Sequence, residues 1–152
     1  MDWETFAAAL AGDLAELPEG ALVVISEREG GGRFTQCMQE EDALTAYVCD
    51  NVFLKPEDRA SAEGERIIAD AGWKPRDPAM GDENWSYVLP CPAPAEDYRN
   101  LTDMIVTALR DGYGIPSPEG WTYSAWNELT GNGSIALRRL EAVVADEMRT
   151  TP

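Results

Sequence analysis

The stretch covering residues 20–51 constrains the fold of this chain more than any other. It contains three short runs rich in β-branched and aromatic residues, at 22–25, 33–38 and 44–49, and turn-forming residues separate them. This pattern predicts three antiparallel strands connected as a meander. The first gap, 27–32, ends in three glycines, which favour a loose and mobile hairpin tip. Because three strands alone form a marginal sheet, we expect helices from the rest of the chain to cover it.

Apolar residues at helical spacing predict helices before and after this meander. The first helix has Asp2 as a suitable N-cap, and its apolar stripe comprises Trp3, Phe6, Leu10, Leu14 and Leu17. After a connector in which Phe53 and Leu54 are expected to plug the sheet edge, Pro56 suits the first turn of a second helix, which Gly72 terminates. The stripe expected on this second helix comprises Ala60, Gly64, Ile67, Ile68 and Ala71.

The remaining elements follow from similar signals. An irregular loop at 74–83 leads to a fourth strand at 84–89 and a third helix at 95–110, for which Gly112 is a suitable cap. Residues 121–126 alternate aromatic and small side chains as a short strand does. A last helix is predicted from Ser134, as its N-cap, to Glu147. We therefore expect an α+β fold in one domain, residues 1–152, with a core at about 2–112 and a C-terminal extension at about 113–152.

The charge balance argues against some classes of partner. Twelve Lys and Arg against 28 Asp and Glu give a formal net charge of −16. Such a charge repels phosphate backbones and anionic lipid surfaces, so we expect neither nucleic acid nor membrane partners. The acidity either keeps the protein soluble or attracts a basic segment of a partner. No apolar stretch reaches membrane-spanning length and the N-terminus is acidic, so a cytoplasmic location is expected.

Catalytic and metal-binding signatures are missing from the sequence. There is no histidine, and the three cysteines, Cys37, Cys49 and Cys91, are too widely spaced for a zinc site or a disulfide framework. The acidic clusters at 40–42 and 82–83 have the character of solvated turns. We therefore expect no catalytic residue, cofactor or metal, and an enzyme would have to use paired carboxylates or a bound divalent metal.

Aromatic residues are the remaining candidates for a binding site. The chain has five tryptophans and five tyrosines, of which Trp3, Trp73 and Trp85 are expected in the core. Trp121, Tyr123 and Trp126 lie together in a segment without a strong core pattern. Large aromatic side chains are effective anchors for a peptide or protein partner. These three residues are therefore candidate partner-binding residues, the alternative being that they cover the open end of the core.

Short motifs at the element boundaries carry a family resemblance over roughly residues 3–126. They are Trp3-x-x-Phe6, Asn51-x-x-Leu54, Gly72-Trp73, Asn84-Trp85 and the run from Leu109 to Tyr113-Gly114. With the order helix, three strands, helix, strand, helix, the chain resembles the superfamily that joins type III secretion chaperones with YbjN-like proteins. Within it, the chain is similar to the actinobacterial peptide-binding chaperone group known as TY-Chap.

The resemblance implies an antiparallel sheet with helices on one face, no cofactor, and a non-enzymatic role in binding a polypeptide segment of a client. Secretion chaperones of this kind are usually homodimers whose clients wrap around them as extended chains, so a homodimer is compatible with the resemblance. The extension at 121–152 departs from their pattern. An acidic immunity-like or scaffold protein that blocks one specific partner remains the alternative function.

Overall fold

An antiparallel sheet forms the centre of the fold, and its helices lie on one face. The computed structural model describes residues 1–27 and 32–143. In these ranges the sheet has six strands in the order β4-β3-β2-β1-β5-β6. Their bounds are β1 Ala21–Glu27, β2 Phe34–Gln39, β3 Ala43–Val48, β4 Trp85–Pro90, β5 Trp121–Asn127 and β6 Gly133–Ser134.

Three α-helices cover one face of the sheet: α1 Trp3–Leu14, α2 Ala62–Asp70 and α3 Ala95–Val106. Helix α3 continues as a π-helical turn, Thr107–Gly112. Helix α1 packs along α3, and α2 packs on the π-helical turn. The second contact requires glycine, because a Cβ at Gly64 would lie 2.1 Å from the carbonyl oxygen of Gly112.

Alternation along the strands separates a core face from an outer face. Val23, Cys37, Ala46 and Ala125 occupy one cross-strand row on the core face, and all four are buried against the helices. Residues that follow or precede them in the strands point to the opposite face, because successive side chains of a strand alternate. The core therefore lies between the helices and one side of the sheet.

The predicted α+β class, the meander and the order of the first seven elements are confirmed. The N-cap Asp2 is also confirmed, since its Oδ1 accepts a 2.7 Å hydrogen bond from the amide of Thr5. The predicted start of the second helix at Pro56 was wrong. Pro56–Asp58 is a separate 3₁₀ turn, and α2 begins after Ser61, whose hydroxyl accepts from the Gly64 amide at 3.0 Å.

Other expectations need correction nearer the ends of elements. Leu54 is buried as expected, but Phe53 is 56% exposed and does not plug the edge. The loop at 74–83 contains a 3₁₀ turn, Pro78–Met80, and Lys74 forms a β-bridge with Ser86. Gly112 lies inside the π-helical turn and does not cap it.

The C-terminal helix also begins later than expected. Ser134 belongs to β6, and helical structure starts at residue 138. Its first amides are capped from another element, because the Asp13 carboxylate of α1 accepts from Arg139 N at 3.2 Å and from Leu140 N at 3.0 Å. The predicted continuation to Glu147 lies outside the described residues, as does most of the predicted hairpin tip at 27–32.

Candidate functional site

The outer face of the sheet, opposite the helices, is formed by strand residues that carry no charge. Its side chains come from alternate positions of every strand, and cross-strand register assigns them to one face. They are Leu22, Val24, Ser26, Phe34, Gln36, Met38, Ala43, Thr45, Tyr47, Ser86, Val88, Pro90, Thr122, Ser124, Trp126 and Ser134. None of them is charged, in a chain with a net charge of −16.

A continuous cross-strand row runs through the middle of this face. Trp126 pairs with Leu22, Leu22 with Met38, Met38 with Thr45 and Thr45 with Val88. With strands about 4.8 Å apart, these five residues form a row about 19 Å long. We call it the apolar row. Its exposure is uneven: Val88 is 56% exposed and Trp126 and Met38 are partly exposed, whereas Leu22 and Thr45 are covered by their neighbours to 9% exposure.

A groove opens beside the apolar row, along the edge of β5. It has a volume of about 680 Å³ and is lined by Tyr123, Ser124, Ala125, Trp126, Asn132, Ser134, Ile135 and Glu141. β6 pairs with Trp126 and Asn127, and Ile135 N still bonds Ala125 O at 2.9 Å. The groove opens beyond this point because the chain then leaves β5 and places Leu137 and Leu140 in the core. We call it the β5 groove.

One wall of the β5 groove is fixed by the Tyr123 hydroxyl. This hydroxyl donates to Glu141 Oε1 and accepts from the Leu137 amide at 3.2 Å. Burial and the bond to Glu141 raise the pKa of Tyr123 to about 12. The phenol therefore stays protonated at neutral pH and acts as a donor to the carboxylate.

The three aromatic residues selected from the sequence do not form one cluster. Trp121 and Tyr123 point to the core face, and Trp121 packs edge-on against Trp3 with ring centroids 6.3 Å apart. Trp126 points to the outer face. Tyr123 and Trp126 meet only at the β5 groove, which both of them line.

Sequence reasoning missed the other members of the apolar row, Leu22, Met38, Thr45 and Val88. A signal for them was present, because no strand other than β1 contains a charged residue, and β1 has only Glu27 at its end. A strand with one face in water usually alternates apolar and polar residues. Here both faces of the strands lack charged residues, apart from Glu27 at the end of β1. This pattern indicates that the outer face contacts something other than water.

The motifs that carry the family resemblance hold the scaffold together. The Asn51 side chain accepts from Ala60 N at 2.8 Å and donates to Ala60 O at 2.9 Å. The Trp73 indole donates to Met104 O at 3.1 Å, and the Trp3 indole donates to Ile115 O at 2.9 Å. Trp3, Asn51 and Trp73 therefore each have a structural role in the fold.

Two of the three cysteines are buried thiols, and the described ranges contain no cluster of metal ligands. Burial raises the pKa of the Cys37 thiol to about 12 and that of the Cys49 thiol to about 11, so neither is a thiolate at neutral pH. No group of three or more Cys, Asp or Glu residues within 1–27 and 32–143 is arranged to hold a metal ion. The helices of those ranges are too short or too polar to cross a membrane.

The sequence matches the model of one protein family over residues 1–127. That family is TY-Chap3, described as T3SS (YopN, CesT) and YbjN peptide-binding chaperone 3. The chain belongs to this family. The match runs from the N-terminus to Asn127, the last residue of β5, so the whole sheet except β6 lies within the family domain. No curated protein and no solved structure matches the chain.

Proposed function

We propose that this protein is a non-enzymatic, chaperone-like module that binds a polypeptide segment of a client on the outer face of its sheet. The observation that carries the proposal is the apolar row on a face without charged residues. Membership of a peptide-binding chaperone family supports the same function.

The apolar row has the composition of a binding surface. Trp126 offers a large anchor, and Met38 at its centre has a flexible side chain that adapts to different partners. A row about 19 Å long spans the side chains of a short peptide segment but is small for a large domain interface. We therefore favour a segment of a client over a folded partner.

The cellular setting that we propose is the cytoplasm. Cys37 and Cys49 are buried and reduced, and Cys91 is also a free thiol. Free thiols persist in reducing compartments, where disulfides are rare.

A selection from a displayed library of random peptides tests the proposal. We expect enrichment of segments with apolar residues at alternate positions, because alternation puts those side chains on one side of an extended segment, where all of them can face the sheet. Synthetic copies of the enriched segments would then be titrated by calorimetry. If no segment is enriched, the peptide-binding function is wrong for this chain.

Two matched variants locate the binding surface. Val88→Lys places a charge at one end of the apolar row, whereas Val52→Lys changes the same residue type at a similar exposure, 51% against 56%, outside that face. We expect Val88→Lys to weaken binding about tenfold and Val52→Lys to leave it unchanged. Equal effects of the two substitutions would place the binding surface elsewhere.

The peptide selection also tests the alternative function. If it yields one dominant sequence instead of many different ones, a protein that blocks one specific partner is favoured.

A further inference from the structure

We propose that the open edge of β5 accepts a basic, extended segment of the client as an added strand. This inference rests on the proposed function and gives it a binding mode and a ligand chemistry. It depends on three features of the described residues: unpaired backbone groups at Tyr123, the β5 groove beside them, and the carboxylate of Glu141.

The backbone of β5 shows which groups point away from β1. The carbonyl of Ala125 accepts from Ile135 N at 2.9 Å, and the carbonyl of Asn127 accepts from Asn132 N at 2.9 Å. Backbone groups of a strand alternate in direction, so Tyr123 also presents its amide and carbonyl on that side. No other described residue pairs with them, because β6 ends at Ser134, opposite Trp126.

An unpaired strand edge is a template for another chain. A peptide that adds to a sheet edge gains main-chain hydrogen bonds, and pockets for its alternate side chains provide specificity. The β5 groove lies directly along Tyr123, and its volume of about 680 Å³ is within the usual range of ligand sites. An added strand there would also extend the outer face next to Trp126.

Charge in the β5 groove selects the ligand. Glu141 is the only charged residue among the described residues that line it. Its Oε1 accepts from Tyr123, while Oε2 has no partner in the described part of the chain. A Lys or Arg of the client can pair with that oxygen, and the overall charge of −16 attracts the same cation. The occupant that fits is therefore an extended segment in which basic and apolar residues alternate.

Synthetic peptides of about eight residues, a usual strand length, test the binding mode. The probe is an acetylated, amidated peptide of alternating Lys and Val. Three control peptides are compared with it. The first is N-methylated on the backbone amides of its odd-numbered residues, the second on those of its even-numbered residues, and the third has Glu in place of Lys. We expect the Lys-Val peptide to bind saturably and to slow hydrogen exchange of the Tyr123 amide. One N-methylated peptide and the Glu-Val peptide should bind at least tenfold more weakly.

A matched pair of variants tests the carboxylate. Glu141→Gln removes the negative charge from the groove, whereas Glu96→Gln makes the same change on α3, away from the groove. We expect the Lys-Val peptide to bind the Glu141→Gln protein several-fold more weakly, with a smaller dependence on salt, and the Glu96→Gln protein without change.

The outcomes separate this inference from the proposed function. If both N-methylated peptides bind as well as the parent, or if Tyr123 exchange is unchanged, strand addition at β5 is wrong. If the Lys-Val and Glu-Val peptides bind equally, the basic ligand is wrong. If neither binds while selected library peptides do, the inference fails and the peptide-binding function stands.

Discussion

The two edges of the sheet differ in how their backbone groups are protected. At the β4 edge, Lys74 exchanges two hydrogen bonds with Ser86, at 2.8 and 3.0 Å, and Pro90 lacks an amide altogether. Proline and short pairing segments are common protections against unwanted strand addition. At the β5 edge, β6 pairs with only two residues and leaves Tyr123 open. The β4 edge is therefore protected at Ser86 and Pro90, although by the same alternation the backbone groups of Val88 point outward without a partner among the described residues. The β5 edge is open at Tyr123, and of the two open positions only Tyr123 lies beside the β5 groove.

The largest difference in stability between the two edges should appear when their tryptophans, Trp73 and Trp126, are replaced. Trp73 precedes the protecting residue Lys74, is buried to 2% exposure, and is bonded to α3 through Met104 O. Trp126 lies partly exposed on the open side. We expect Trp73→Ala to lower the free energy of unfolding by about 3–5 kcal/mol and Trp126→Ala by about 1 kcal/mol. Urea denaturation of both variants measures this. Equal losses would mean that Trp126 is as much a core residue as Trp73.

The next largest effect concerns Asp13, which holds the segment that forms the outer wall of the β5 groove. Its buried carboxylate accepts from the amides of Arg139 and Leu140 and from Arg139 Nη1. Asp13→Asn replaces one acceptor oxygen by a donor, so we expect a loss of about 2 kcal/mol and faster hydrogen exchange at 138–143.

Glu16→Gln is the control for this substitution. Glu16 also pairs with Arg139, but it is exposed, and exposed pairs contribute less than about 1 kcal/mol. If both variants lose the same stability, the buried cap at Asp13 does not hold the last helix.

The contrast between α1 and the later helices explains what the sequence could predict of the fold. The N-cap and the apolar stripe of α1 both lie within or next to the helix, so the local sequence was sufficient to predict it. Ser61 caps α2, but the residue before it, Ala60, is held by Asn51, which bonds both of its backbone groups from nine residues away. The last helix is capped by Asp13, 127 positions from Leu140. Neither contact leaves a periodic signal.

The candidate site shows the same limit. Trp126 and Tyr123 could be selected as surplus aromatic residues, but the apolar row exists only through the register of β5, β1, β2, β3 and β4. The open edge depends on β5 lying beside β1, a pairing across about a hundred residues that strand propensity does not specify. The near absence of charged residues from the strands, in which Glu27 at the end of β1 is the exception, was the one sequence signal for the outer face.

A smaller effect is expected from opening the protected edge. Lys74→Pro removes the amide that bonds Ser86 O, whereas Lys74→Ala retains it. Relative to Lys74→Ala, we expect Lys74→Pro to lose about 1 kcal/mol of stability and to speed hydrogen exchange of the Ser86 amide. If exchange at Ser86 is the same in both variants, Lys74 does not protect this edge.

The smallest effect is a shift in tyrosine titration at the open edge. Burial and Glu141 raise the pKa of Tyr123 from 10.0 to about 12, so its stabilising contribution is complete below pH 10 and is lost as the pH rises through 12. Glu141→Gln removes the bond to the carboxylate and should move the Tyr123 transition to lower pH, as measured by NMR of the tyrosine ring. Tyr98, whose pKa is raised by burial and by Cys91 next to β4, is the control and should not move. If Tyr123 titrates unchanged in this variant, Glu141 does not contact it in solution, and the charge assigned to the β5 groove has no basis.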